Sequence, residues 1–269
     1  MIGVCTDSNA QLPDSIVRRF GIEVVPLTVT IDGIDYLEGV DLDPDRFYAF
    51  LTDDEPHEIA TSSPSPGQFA AAYDALVERG ADSILSIHIG SSFSGTLGSA
   101  RLAARQVPVP IRVFDSGSAS FGIGCRVWAA ARAVEAGASL EEAVRTAEAI
   151  GPLVGNVFLA DGVLGPPDAA APGGGGGVPV FSLIEGEVVE IDRAASVEDA
   201  ISLMASRVDC ASGRTHVAIG FGDRSVEPVA VALRDALTGD CLDLLEYRIG
   251  PTIAARIGPT TVGMFYCPD

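Results

Sequence analysis

Short apolar runs that break off into hydroxyl or acid residues, each followed by a helix start, constrain this chain more than any other feature. Ile84, Leu85, Ile87 and Ile89 form a brief run that fits a strand buried in a sheet. From Gly90 the side chains shrink to Ser91, Ser92, Ser94, Gly95 and Thr96, and a helical pattern follows through Leu97, Ala100, Leu102, Ala103 and Val107. The arrangement recurs three times. Ile2 to Cys5 runs into Thr6-Asp7-Ser8, Ile59-Ala60 into Thr61-Ser62-Ser63, and Ile111 to Phe114 into Asp115-Ser116. Strands alternating with helices predict a parallel sheet covered on both faces, with its ligand crevice outside the carboxyl ends of the strands. The four clusters are therefore expected on one edge. At a helix start the free N–H groups and the dipole favour a carboxylate or phosphate, but Ser94 is equally able to cap its own first turn.

The remaining punctuation fits this frame. Pro13 opens a helix ending near Gly21, Ile22 to Ile31 reads as one extended run up to a turn at Asp32-Gly33, and Asp43-Pro44 starts a short helix with Phe47, Phe50 and Leu51. Ser65 and Pro66 open a helix through Phe69, Tyr73 and Leu76, and helices follow from Phe121 to Glu135 and, behind a Ser139…Glu142 capping box, from Leu140 to Ile150. Near Gly151-Pro152 the character changes, which divides the chain into residues 1–152 and 153–269. The second part reads as a strand (Leu153 to Ala160), a hairpin about Glu185-Gly186, a helix capped by Ser196, a strand from Val217 to Phe221, a helix from Val226 to Leu237, and strands at Leu242 to Tyr247 and Thr261 to Tyr266. Between them Asp161 to Gly177, with five consecutive glycines at Gly173 to Gly177, predicts a mobile loop without a phosphate-cradle pattern. The fold class expected is α/β in two domains: a mostly parallel N-terminal sheet with helices on both faces, and a smaller C-terminal α/β domain.

Charge narrows the partners. With 37 acidic residues against 17 basic ones the formal charge is −20, which repels nucleic acid and anionic lipid headgroups. No apolar run is long enough to span a bilayer and no signal core precedes the first strand, so a cytoplasmic protein without stable membrane insertion is expected. The five cysteines (Cys5, Cys125, Cys210, Cys241 and Cys267) form no Cys-x-x-Cys pair and read as reduced core thiols, with neither a zinc site nor a disulfide framework.

Catalytic groups are sparse. His57, His88 and His216 are the only histidines, none lies in a nucleophile-elbow pattern, and His88 reads as a hydrogen-bonded core residue. Asp7 and Asp115, each at a strand end, are available as an acid and base pair, or equally to cap helices and hold loops. Metal-ligand spacing is absent and no cofactor is implied. A hydroxyl-rich, histidine-poor crevice suits holding a small anionic headgroup better than breaking bonds.

The ordered motifs Thr6-Asp7-Ser8, Val24-Val25-Pro26-Leu27, Tyr36-Leu37-Glu38-Gly39-Val40-Asp41, Thr61-Ser62-Ser63-Pro64-Ser65-Pro66, Ser86 to Thr96, Ser99-Ala100-Arg101-Leu102-Ala103 and Val113-Phe114-Asp115-Ser116 resemble the DegV family, which includes the fatty-acid-binding subunits of bacterial fatty acid kinase. The resemblance covers roughly the first 150 residues. It implies two α/β domains with the ligand site between them, a long-chain fatty acid as ligand, its carboxylate on Thr61 and Ser94, and presentation to a kinase catalytic subunit. Ser62, Ser92, Gly95 and Thr96 lie in the same two motifs and complete the expected headgroup set. Phe158, Phe181 and Phe265 are candidates to line the tail.

The second domain departs from that pattern. The family's Leu-x-x-Gly-Gly-Arg-Ile segment is replaced by the stretch from Leu164 to Gly177, which has no basic residue, and Arg256 stands where a His is expected after Gly250-Pro251. An Arg there offers the carboxylate a permanent ion pair. Three functions follow for testing: a non-catalytic lipid carrier, a small-molecule enzyme using Asp7 and Asp115, and a diverged relative with a closed pocket that works through protein contacts.

Overall fold

The computed structural model describes residues 1–53, 55–160, 176–208, 210 and 214–269. The chain forms two compact units, Met1–Leu42 with Glu58–Leu153, and Asp43–His57 with Val154–Asp269. In chain order the first part runs β1 (Ile2–Asp7), α1 (Asp14–Phe20), β2 (Glu23–Val25), β3 (Thr28–Ile31), β4 (Ile34–Leu37), α2 (Pro44–Leu51), β5 (Ile59–Ser62), α3 (Pro66–Glu78), β6 (Ser83–His88), α4 (Thr96–Ala104), β7 (Ile111–Asp115), α5 (Phe121–Glu135) and α6 (Leu140–Ile150). The second runs β8 (Gly155–Leu159), β9 (Val178–Ile184), β10 (Glu187–Ala194), α7 (Val197–Ala205), β11 (Thr215–Phe221), α8 (Glu227–Ala236), β12 (Asp243–Arg248), α9 (Pro251–Ile257) and β13 (Val262–Pro268). The expected mixed α/β class is what the structure has.

In the first unit a parallel sheet is ordered β2-β1-β6-β7. On one face Phe69, Tyr73 and Leu76 of α3 and Ala100 and Ala103 of α4 pack with Cys5, Val25 and Ile84 of the strands, while α5 and α6 contact strands of the same sheet. Local chemistry sets the helix ends. Ser65 and Gln68 form a capping box with Pro66 in the first turn of α3, Ser139 and Glu142 do the same for α6, and Gly21 closes α1 in the left-handed region at φ 61°.

The run from Ile22 to Ile31 is not one strand. Pro26 cannot donate to a ladder, and at Pro26-Leu27 the chain leaves the parallel sheet. β3 instead joins a separate antiparallel sheet ordered β4-β3-β5, with Asp32 and Gly33 at positive φ in the β3–β4 turn. A consequence is that Thr61 and Ser62 do not follow a strand of the parallel sheet. They lie inside β5, opposite Val29 and Thr28 of β3.

In the second unit a six-stranded sheet is ordered β10-β9-β8-β13-β11-β12, antiparallel except for the β11–β12 pair. Val157, Leu159, Val217, Ile219, Val262 and Met264 form its core with residues of α7 and α8. The strand predicted from Leu153 begins at Gly155, after a single 3-10 turn at Gly151–Leu153. The sequence reading left α9 unnamed and kept Asp43–His57 in the N-terminal domain. That segment groups with the second unit because Tyr48 donates its hydroxyl to the Ile249 carbonyl (2.8 Å) and Asp45 accepts from both Arg224 and Arg248.

The cysteine reading is corrected. Cys210 and Cys241 form a disulfide, with Cα atoms 4.4 Å apart across 31 residues, while Cys5, Cys125 and Cys267 are free and buried. Their sequence separation holds no hint of this, because the α7–α8 packing is what brings the segments after α7 and before β12 together. The predicted loop at Gly173 to Gly177 falls largely outside the described residues; only Gly176 and Gly177 are among them.

Candidate functional site

The strand order reverses between β1 and β6: β1 leads through α1 to β2 on one side, and β6 through α4 to β7 on the other. Loops leave in opposite directions there, opening a crevice at the carboxyl ends. Asp7 lies at the end of β1, fully buried, and accepts hydrogen bonds from the Asn9 amide (3.1 Å), the Ile89 amide (3.0 Å) and His88 Nδ1 (3.0 Å). His88 is equally buried, with Nε2 2.6 Å from Ser86 Oγ, which lies 2.9 Å from the Tyr73 hydroxyl. Burial pushes the Tyr73 phenol upward, so Tyr73 donates to Ser86, Ser86 to His88 Nε2, and the Nδ1 proton faces Asp7. Every polar atom of this chain then has a partner. The residues are those of a serine hydrolase triad, but Ser86 and His88 have no exposure at all. The network ties β1, β6 and α3 together and fixes Ile89, where the hydroxyl-rich loop begins.

Asp115 holds the same loop from the other side. It accepts from the Ser91 amide and hydroxyl and from the Gly117 amide. Burial by itself would raise its pKa, yet these donors outweigh burial and Asp115 sits below its ordinary value. Gly90 allows the loops after β6 and β7 to close: a Cβ there would stand 2.9 Å from the Gly117 carbonyl carbon. Of the two candidate acid/base residues, one is buried beneath the loop and the other braces it.

The hydroxyl clusters meet at Ser94. Its Oγ is 2.9 Å from Ser63 Oγ and 2.8 Å from Thr96 Oγ1, and it accepts from the Thr96 amide at 3.2 Å. Gly95 is the N-cap position of α4, where a Cβ would lie 3.6 Å from Ser63 Oγ. Ser94 thus serves the first turn of its helix and also joins the loop after β5. Thr61 is half-buried, two residues before Ser63, whereas Ser62 is exposed on the alternate face of β5 and Ser92 is exposed in its loop. Arg256 is exposed on α9 in the second unit.

Sequence reasoning missed three contributors. Ser63 stood in the right motif but was not singled out. Glu38, 5 % exposed, is hydrogen-bonded by the Ser8 hydroxyl, which also receives the Leu27 amide. Asn9 Oδ1 accepts from the Ser120 amide at 3.0 Å. Among the described residues no group of three His, Cys, Asp or Glu side chains could hold a metal, and no helix is long and apolar enough to cross a membrane.

In the second unit the sheet face opposite α7 and α8 is aromatic. Phe158 and Phe181 are cross-strand partners stacked with centroids 5.9 Å apart, and Phe265 falls on the same face by alternation along β13. Gly263 lies opposite Phe158 on the neighbouring strand, and a Cβ there would approach Phe158 Cβ to 2.5 Å. Tyr247 lies likewise against Gly220. The Tyr247 ring is the part that meets Gly220, and Phe158, Phe181 and Phe265 are half-buried.

Residues 1–161 match the family model described as "Uncharacterised protein, DegV family". A DegV domain-containing protein of Streptomyces coelicolor is 31% identical over 274 residues, covering 98% of this chain and 97% of that one. One from Mycobacterium tuberculosis is 30% identical over 286 residues, covering 99% and 96%. Among solved structures, a DegV family protein from Thermus thermophilus, reported for its fatty acid binding, superposes with a TM-score of 0.83 at 30% identity, covering 100% of this chain and 99% of that one. DegV of Bacillus subtilis, a fatty acid binding protein, shares the fold with a TM-score of 0.83 at 23% identity, covering 100% and 99%.

Proposed function

This chain belongs to the DegV family, and we propose that it holds a long-chain fatty acid and does not transform it. The observation that carries the reading is the junction of Ser63, Ser94 and Thr96, where hydroxyls from the loops after β5 and β6 meet at the start of α4. Among the described residues Ser94 has no histidine or carboxylate bonded to it, so nothing there activates it as a nucleophile. Fatty acid binding by the Thermus thermophilus relative supports the same reading.

In this reading Thr61 and Ser94 take the carboxylate, with Gly95 and Thr96 shaping the helix start beneath it. Ser62, on the other face of β5, is left out, and Ser92 borders the loop. The tail needs apolar surface. At about 0.8 kcal/mol per buried CH2, a long chain contributes roughly 10 kcal/mol before ordering costs. Headgroup contacts then set orientation and selectivity more than total affinity. Presentation of the bound acid to a kinase subunit in the cytoplasm is the role this arrangement would serve.

Native mass spectrometry of the purified protein, followed by extraction and lipid analysis, tests the reading. Wild-type protein is expected to carry one fatty acid, and Thr61→Ala with Ser94→Ala to lose it. Unchanged occupancy in the double variant would overturn the headgroup assignment.

A further inference from the structure

The hydroxyl junction has a fixed direction that follows from counting lone pairs. Thr96 is fully buried, and its hydroxyl has no partner other than Ser94 Oγ among the described residues. A buried hydroxyl proton left unpaired is costly, so Thr96 donates to Ser94. The Thr96 amide donates to the same oxygen. A hydroxyl oxygen has two lone pairs, and both are now filled. Ser94 therefore cannot accept from Ser63. Its one proton points outward, to Ser63 Oγ, and the Ser63 proton is left over at the half-buried rim of the junction.

From this count we infer that Ser63 is a further donor to the ligand headgroup, beside Thr61 and Ser94, and that its proton favours a two-oxygen anion over a single hydroxyl. When a carboxylate arrives, the Ser94 proton turns from Ser63 to one carboxylate oxygen, and the Ser63 proton is available to the other. Thr96 keeps Ser94 a donor in both states. Ser63 is thereby a selectivity residue for acids over alcohols, and Thr96 a positioning residue acting through Ser94. The inference rests on the fatty-acid reading above and adds the headgroup chemistry to it.

Competition against a fluorescent fatty acid, with oleate and oleyl alcohol as probes of equal tail length, tests it on the full chain. Ser63→Ala is expected to weaken oleate by at least about tenfold, the loss of one hydrogen bond to a charged group, and to leave oleyl alcohol within about twofold, because a single oxygen is served by Ser94. Ser63→Thr, which keeps the hydroxyl, should regain oleate binding. Oleate binding unchanged in Ser63→Ala would overturn the assignment while leaving the carrier reading in place, and equal losses for acid and alcohol would reduce Ser63 to a structural role. Wild-type protein that takes up neither probe would instead overturn the carrier reading itself.

Discussion

The two units solve the problem of a buried interior in opposite ways. The first carries Thr6, Asp7, Asn9, Glu38, Ser86, His88, Thr96 and Ser116 in buried positions, and two of these are acids. The second buries Ser182, His216, Thr252 and Thr261, no acid among the described residues, and builds its core from apolar side chains of the sheet, α7 and α8, with a disulfide beside it. A dry polar network is worth having only if every member is satisfied, and then it admits few alternative arrangements. The first unit uses that stringency to fix a loop. The second unit's core is held by apolar packing, which imposes no such requirement.

The largest expected effect tests the stringency. Asp7→Ala leaves the amides of Asn9 and Ile89 and the His88 ring without their acceptor in a fully buried place, and should cost about 3–5 kcal/mol in urea unfolding. A loss near 1 kcal/mol would mean that water enters and the network is not dry. Next, Cys241→Ser opens the 31-residue loop of the second unit. By the chain-entropy account it should cost about 4 kcal/mol, and hydrogen exchange should accelerate in β11 and β13 while β1 and β6 stay protected. Equal acceleration in both units would show that the units unfold together. The smallest effect concerns an exposed cluster. The hydrogen bonds from Arg224 and then Arg248 hold Asp45 below its ordinary value of 3.8, so their contribution is present above that pH and is lost as pH falls through the lower folded value. Because Asp45 is half-exposed and screened, Asp45→Asn should cost less than about 1 kcal/mol near neutrality. As pH falls from 3.8 through the lower folded value of Asp45, the variant and wild type should converge.

Much of the fold was legible because its signals are local. Ser65 with Pro66, Ser139 with Glu142, and Asp32-Gly33 mark ends and turns through bonds made within four residues. The run across Pro26 misled because apolar continuity was read as one strand, although a proline without an amide was already in view. Thr61 and Ser94 were legible as hydroxyls near a helix start and a strand end. That Thr61 lies inside a strand of a separate antiparallel sheet, while Ser94 is in the loop after β6 of the parallel one, was not.

The sequence by itself determined where most strands and helices lie, α9 and the break at Pro26 excepted, which residues cap them, and that hydroxyls outnumber histidines near the strand ends; each of these depends on neighbours along the chain. Tertiary structure alone decided that Cys210 meets Cys241, that Asp43–His57 groups with the second unit, and that Ser63 touches Ser94. It also decided which way the Ser94 proton points. That depends on Thr96 being buried with no other acceptor among the described residues, and burial is a property of everything packed around a residue.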